Sequence, residues 1–478
     1  MNDSKVVRAG IGYTIGNILL KGLTFLTVPI FARLMSTEDF GIYNVFISYE
    51  GLFFVLIGCA IHSSYKNARY KFGVYGKDSD ERNDYYSYTS NTLLFILCSS
   101  LLWVLFANTI AKLIMPVLKL DRVSLNLLLL YSSATAILTC YNTDLGIRYE
   151  YNRYIKLSTI NAIANIDLSI ILILFVFPNK RYLGRMIGTT LPVCCTSLYI
   201  VYTFLRRAKP SNSLLNLKWG IKYSIPIIPH GLSQIVLTQF DRIMIANMVG
   251  NYEAGIYSFS YIIFTILTVI STSIESVWSP YFYEQRKKND TVEIRKFSNT
   301  IVYCMFFASC ILILISPELV IVLGSNKYAE SANLVAPIVA SGYFAFLYYL
   351  PAVVEYYYEK TKFIAVGTSC AAVINVVLNY IFIHRFGYVA AAYTTLFTYM
   401  LYFSFHYYIY RKIEKERLYC TKSIVFTAIG ILLIAAYTSF FIRKILFRGT
   451  FVIVFIIFGF IIFQRKFNLI KIIKAKRK

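Results

Sequence analysis

The sequence predicts an all-α polytopic membrane protein of about fourteen transmembrane helices: two six-helix lobes related as a parallel repeat, plus two extra C-terminal helices. Three observations predict it. The 478 residues are 57% hydrophobic and only 15% charged, whereas soluble domains carry about 25% charge. Apolar runs of roughly 20 residues, each enough to cross a ~30 Å hydrocarbon core, recur along the whole chain. Finally, the stretch Pro29 to Tyr49, PIFARLMSTEDFGIYNVFISY, has the same order as the later stretch Ile225 to Tyr261, IPIIPHGLSQIVLTQFDRIMIANMVGNYEAGIYSFSY. Each runs from a helix end through an acidic turn and Gly-Ile-Tyr into a new helix. Asp39 and Glu253 each lie two residues before the glycine.

Taken in order, the apolar runs fall at roughly 11–33, 40–62, 87–111, 123–146, 154–177, 183–205 and 222–248, then 252–279, 298–321, 333–357, 362–383, 388–410, 422–442 and 447–464. Runs this long and apolar are read as helices, because a helix satisfies every backbone group internally. The first run holds Lys21 in its middle and does not read as a cleavable signal. Most of the 48 Lys and Arg fall in segments on the N-terminal side of the membrane, so both termini are expected in the cytoplasm. The outside turns near 112–122, 180–185 and 443–448 carry three cations each and fit that count least well. The formal charge of +24 is then explained by cytoplasmic loops and anionic lipid rather than by nucleic acid.

The segment Arg206 to Lys218, with RRAKPSNS, reads as a cytoplasmic linker between spans six and seven. The expected organisation is therefore an N-terminal lobe over 1–205, the linker at 206–218, a C-terminal lobe over 219–411, and spans thirteen and fourteen with a basic tail over 412–478. An even number of spans per lobe makes the repeat a parallel one. A second echo agrees. Asn165 in span five matches Asn375 and Asn379 in span eleven. Gly184 with Thr189-Thr190-Leu191 in span six matches Gly387 with Thr394-Thr395-Leu396 in span twelve.

No phosphate-cradling glycine loop, HExxH or nucleophile elbow occurs, so the sequence reads as no enzyme. The nine cysteines have no metal-ligand spacing, and the vicinal Cys194-Cys195 reads as small apolar filling. The four histidines are scattered and read as packing or interfacial residues. Neither a metal nor a cofactor is implied.

Charges inside spans are the informative set, since each costs roughly 2.5–3.5 kcal/mol at a helix centre and usually faces a cavity or a partner. Lys21 and Glu50 lie near the middles of spans one and two. They either neutralise each other or let a substrate anion compete with Glu50 for Lys21. Arg33 ends span one on the outer side, where an arginine can also simply snorkel. Asp241 and Arg242 lie in the outer half of span seven and point about 100° apart on a helix. Pro226 and Pro229 should break the start of that span, near His230. Asp167 has no cation near it in sequence; hydrogen bonding to Asn161 or Asn165 and ion coupling are both open. Glu275 and Glu355 read as interfacial. The 41 tyrosines cluster mostly at span ends, as interfacial belts do.

The stretch Ile225 to Tyr261, with its Asp-Arg near the end of span seven and the Gly-x-Tyr that follows, resembles the polysaccharide-exporter branch of the multidrug/oligosaccharidyl-lipid/polysaccharide (MOP) flippase superfamily. The opening NILLKGLTFLTVPIFARLMSTEDFGIYNVF (Asn17 to Phe46) is similar to that branch as well, and Wzx-type flippases of O-antigen or capsule clusters resemble it most. The resemblance implies a V-shaped pair of lobes around a cationic cavity, working by alternating access. It implies an undecaprenyl-pyrophosphate-linked oligosaccharide as substrate, moved from the cytoplasmic to the periplasmic leaflet of the bacterial inner membrane. Lys21, Arg242 and Arg33 are then the expected pyrophosphate cations, and Glu50, Asp167 and Asp241 the acids for ion coupling or charge pairing. Glycan polymerase and chain-length proteins of the same pathway are the implied protein partners. A drug/cation antiporter of the same superfamily is the alternative; Lys21, where the drug exporters carry an acid, counts against it. A membrane-embedded polymerase or ligase ranks last, for want of a large outer loop.

Overall fold

The computed structural model describes residues 3–72, 79–207, 210, 214–442 and 444–467. Among the described residues there is no strand, and fourteen helices of 20 residues or more follow one another. They are α1 (Asp3–Leu34), α2 (Thr37–Gly58), α3 (Ser79–Thr109), α4 (Arg122–Arg148), α5 (Tyr151–Ile171), α6 (Arg181–Arg207) and α7 (Ile228–Met248). There follow α8 (Asn251–Lys287), α9 (Thr291–Gly324), α10 (Ala332–Tyr357), α11 (Thr361–Phe386), α12 (Val389–Ile413), α13 (Thr421–Phe440) and α14 (Ile445–Phe467). Each coincides with an expected span. α1, α3, α8 and α9 run past their apolar cores, because the bilayer limits the apolar stretch of a helix and not the helix itself.

By length and composition, ten described helical segments are apolar enough to cross a membrane. α7 and α12 fall short because polar side chains crowd them, among them Gln234, Gln239, Asp241 and Arg242 on α7 and Thr394, Thr395, Thr398 and His406 on α12. α1 and α14 carry shorter apolar stretches, Phe25–Leu34 and Ile445–Ile457.

Local sequence sets the helix ends. Ser36 caps α2 by accepting from the Asp39 amide at 3.0 Å, and Glu38 and Asp39 sit in the first turn, where the helix dipole favours acids. The acidic turn seen in the sequence is thus a helix start. At the head of α7 a short helix, Leu215–Ser224, gives way to a 3-10 turn at Ile225–Ile227 before α7 begins. Pro226 and Pro229 occupy the first positions of the turn and of α7, where the missing amide costs no hydrogen bond.

The chain divides into two compact units, Met1–Gly255 and Ile256–Lys478. In the first, Ile57, Tyr65, Tyr85, Tyr88, Leu129 and Phe204 form a buried core. At one end of α4, fully buried Asp144 takes a hydrogen bond from Tyr85 at 2.8 Å and pairs with Arg148 and Arg69. In the second unit α13 packs on α9 and α10, and α14 packs on α9. There Arg448, 3% exposed, grips Glu318 with two bonds of 2.6 and 2.7 Å and donates to the Leu314 carbonyl at 2.7 Å.

Helix pairing inside each unit follows one pattern. α4 and α5 both pack on α6; six helices later, α10 and α11 both pack on α12. The residues of the second sequence echo lie at these seams. Asn375 donates to Thr395 at 3.2 Å, Asn379 donates to Asn375 at 3.1 Å, and Thr394 donates to Asn379, all between α11 and α12 or along α11. Asn165 bonds across the α5–α6 seam.

The glycines of the first echo meet in space. A Cβ on Gly41 would lie 1.9 Å from the carbonyl oxygen of Asn251, and one on Gly255 would lie 2.1 Å from that of Thr37. Backbone passes against backbone there, and only glycine permits it.

Candidate functional site

Five helices of the first unit build a line of polar and aromatic side chains. α2 contributes Tyr43, Phe46 and Glu50, at spacings of three and four that place them on one face. The Tyr43 and Phe46 rings stack at 6.4 Å, and Phe46 stacks on Tyr131 of α4 at 6.0 Å. At one end of the line stands Arg185 of α6. Its guanidinium lies 3.7 Å from the centre of the Phe31 ring of α1 and 5.0 Å from that of Tyr43. It donates to Ser169 of α5 at 2.8 Å and to Asn165 at 2.5 Å. Tyr43 in turn shares a hydrogen bond of 3.1 Å with Thr189, one turn along α6. At the other end of the line is Glu50, whose Oε1 is buried without a hydrogen-bond partner among the described residues.

Arg185 is thus a half-buried cation whose partners are all neutral. Two rings and two polar side chains position it, and no carboxylate pairs with it among the described residues. Cation–ring contacts are worth about 0.5–2 kcal/mol each. They hold a guanidinium in place and leave its charge available, whereas a carboxylate would cancel it. The arrangement can hold an anion beside an aromatic surface.

The residues singled out in the sequence are placed as follows. Lys21 lies on α1; its side chain is outside the described set, so its pairing with Glu50 is not seen here. Arg33 is in the last turn of α1 and exposed. Asp241 and Arg242 are both buried on α7, at 1% and 9% exposure. Arg242 turns back along its own helix, donating to the Thr238 carbonyl at 3.2 Å and to Gln239. α7 packs on α2, with Asn247 donating to Tyr49 at 3.4 Å. His230 Nδ1, beside the proline break, is buried without a partner among the described residues. Asp167 is exposed on α5. The oxygens of Asn161 and Asn165 accept from Thr196 and Arg185.

Sequence reasoning missed three features. Arg185 and Arg448, cations of the expected outside ends at 180–185 and 443–448, stand in the first two turns of α6 and α14 and are held by side chains of neighbouring helices, which their position in the sequence does not show. Asn165 and Ser169, one turn apart on span five, were the available signal for a donor between spans five and six. Glu355, read as interfacial, and His406, read as packing, instead form a fully buried pair at 2.7 Å. Nothing local in sequence joins residues on two separate helices.

Comparison with known proteins agrees with this fold. The family described as polysaccharide biosynthesis protein matches residues 6–286. Lsg locus putative protein 1 of Haemophilus influenzae is 20% identical over 395 residues, covering 78% of this chain and 90% of that protein. Among solved structures, lipid II flippase MurJ in an inward closed conformation has a TM-score of 0.70 at 15% identity, over 95% of this chain and 99% of that one. An inward-facing multidrug resistance MATE family transporter of the MOP superfamily has a TM-score of 0.63 at 14% identity, over 83% and 95%. With more than half of its length matched, the chain belongs to the polysaccharide biosynthesis protein family, and it carries the fold of the MOP superfamily.

Proposed function

We propose that this protein is a flippase that moves an undecaprenyl-pyrophosphate-linked oligosaccharide, an O-antigen or capsule repeat unit, from the cytoplasmic to the periplasmic leaflet by alternating access. The observation that carries the reading is Arg185, a half-buried cation whose partners among the described residues are all neutral. A guanidinium that no carboxylate cancels keeps its charge available for an anionic substrate. A pyrophosphate supplies the missing anion, and guanidinium is the side chain best matched to it. Lys21, Arg242 and Arg33 are the further substrate cations of this reading; Glu50, Asp167 and Asp241 are its acids for coupling or charge pairing.

The reading places the chain in the bacterial inner membrane with both termini in the cytoplasm. It keeps two six-helix lobes, 1–205 and 219–411, as the moving parts, the linker 206–218 between them, and 412–478 as an addition. Polymerase and chain-length proteins of the glycan pathway are its expected partners.

A second reading, drug/cation antiport, draws on the buried carboxyl of Glu50, whose Oε1 has no hydrogen-bond partner among the described residues and which an organic cation would satisfy. One experiment separates the two. A strain lacking its own flippase is complemented with the wild-type chain, Arg185→Ala, Lys21→Ala, Arg242→Ala, Arg185→Lys or Glu50→Gln, with membrane levels checked by immunoblot. The flippase reading expects at least a tenfold loss of surface glycan in Arg185→Ala, with lipid-linked units accumulating inside. It expects partial rescue by Arg185→Lys. Normal glycan in the alanine variants overturns the role of these cations. Wild type that fails to restore glycan but confers Glu50-dependent drug resistance establishes the antiporter.

A further inference from the structure

The second unit holds a fully buried acid–base pair. Glu355, near the end of α10, and His406, in the last third of α12, are both 0% exposed, and Nδ1 of the imidazole is 2.7 Å from Oε1 of the carboxyl group. The far atom of each, Glu355 Oε2 and His406 Nε2, is buried with no hydrogen-bond partner among the described residues. Aromatic rings wall the pair: Tyr348 at 5.0 Å, Tyr402 at 4.7 Å and Phe405 at 5.2 Å from the imidazole centre. Tyr402 is itself tied to Thr368 of α11 at 2.8 Å. The third side is Gly367 of α11, where a Cβ would lie 2.5 Å from Nε2, so that position leaves just enough room for the ring.

As a helix clamp this is a poor device. A buried pair is often no more stable than apolar side chains of the same volume, and one with unsatisfied atoms is worse still. An ionisable pair buried among the helices of a membrane protein is therefore a candidate for function.

We propose that Glu355 and His406 form a proton-binding site in the second unit, whose proton exchanges only when α10, α11 and α12 part. Carboxyl and imidazole together hold one proton and are neutral overall, whichever of the two carries it. Adding or removing a proton would leave a net charge among aromatic rings, which the surroundings resist. Exchange therefore needs water at Oε2 or Nε2, the two unpartnered atoms, and the packing of three helices bars that water. Among the described residues, the other titratable groups facing the pair are phenols: Tyr348 and Tyr356 on α10 and Tyr402 on α12. α11 faces it with Gly367 and Thr368, which do not titrate. The site thus ties one proton to one state of helix packing, which is what coupling transport to a proton gradient requires.

The sign of the pH effect follows. A packed pair binds one proton. An opened pair behaves as ordinary His and Glu, with values of about 6.5 and 4.3, and binds none above about pH 6.5. The packed state is therefore favoured below about pH 6.5 and loses ground as pH rises beyond it. The test uses the full-length chain reconstituted in lipid vesicles, with melting temperature followed from pH 5.5 to 8.5. Wild type is expected to lose melting temperature steadily above pH 6.5, while Glu355→Gln/His406→Gln stays flat in that window. The exchanged pair, Glu355→His with His406→Glu, is expected to restore the slope, which a merely steric role would not do. Nitrogen-15 spectra of the wild-type histidine rings keep the test valid if the double variant misfolds: His406 is expected to show a hydrogen-bonded ring that does not change between pH 5.5 and 6.5. Equal slopes in wild type and the Gln pair, or a His406 ring that titrates freely near pH 6.5, overturn the proposal. No glycan enters the measurement, so its failure and that of the flippase reading are distinguishable.

Discussion

Gly41 and Gly255 show what a single residue decides in this molecule. Each presents its bare Cα to the backbone carbonyl of another turn, at distances no side chain can occupy. A rotamer change cannot relieve a clash with backbone, so Gly41→Ala and Gly255→Ala should each cost about 1–3 kcal/mol or more and lower the melting temperature of the purified protein. Gly146→Ala is the control. Nothing lies within 4 Å of its added methyl, and a helical alanine gains roughly 0.5–1 kcal/mol over glycine. Equal melting temperatures for Gly41→Ala and the control would show that the two backbones do not meet. The Gly-Ile-Tyr echo was legible in the sequence as a repeat; that its two glycines touch was not. Arg185 teaches the same lesson. Its identity and position are plain in the sequence, but its four neutral neighbours come from α1, α2 and α5, and only folding assembles them.

At the scale of elements, α7 and α14 differ in what their own residues settle. The proline break before α7 was readable because proline acts locally, through its fixed φ and missing amide. The attachment of α14 was not. Its hold on α9 centres on Arg448, whose guanidinium reaches Glu318 and the Leu314 carbonyl. Arg448→Ala removes two charge-assisted bonds, worth about 1.5–3 kcal/mol each before screening at the half-exposed Glu318. The expected outcome is a locally loosened α14: faster proteolysis after residue 440, with little change in the melting of the first unit. Arg448→Lys should recover part of the loss, since an ammonium keeps the charge without the two-pronged geometry. Unchanged cleavage in Arg448→Ala would show that apolar packing alone holds the helix.

For the molecule as a whole, orientation in the membrane is the property with the most direct test. Cys420 precedes α13 and is half-buried. The hydroxyl of Ser423 donates to its sulfur at 3.3 Å, and with the helix amides this draws the thiol below the ordinary cysteine range. Its thiolate therefore forms at lower pH than that of a free cysteine, so labelling should persist as pH falls toward neutrality. A membrane-impermeant maleimide should label Cys420 in inverted vesicles and not in intact cells, with Cys420→Ser abolishing the signal. Labelling from outside would reverse the expected orientation.

Across the whole chain, the sequence by itself determined the class, the fourteen helices, the proline break and the six-helix period. Each of these rests on short-range physics. A bilayer demands roughly 20 apolar residues in a row, a helix satisfies its own backbone, and proline and capping residues act within one turn. Tertiary structure alone decided which charges are paired. Asp144 with Arg69, Glu318 with Arg448, and Glu355 with His406 are matched between helices, and Arg185 has neutral partners only among the described residues. The reason is dielectric. In water a charge is solvated wherever it lies in the sequence. In a bundle its cost and its use depend on what stands within about 4 Å, and that is a property of packing.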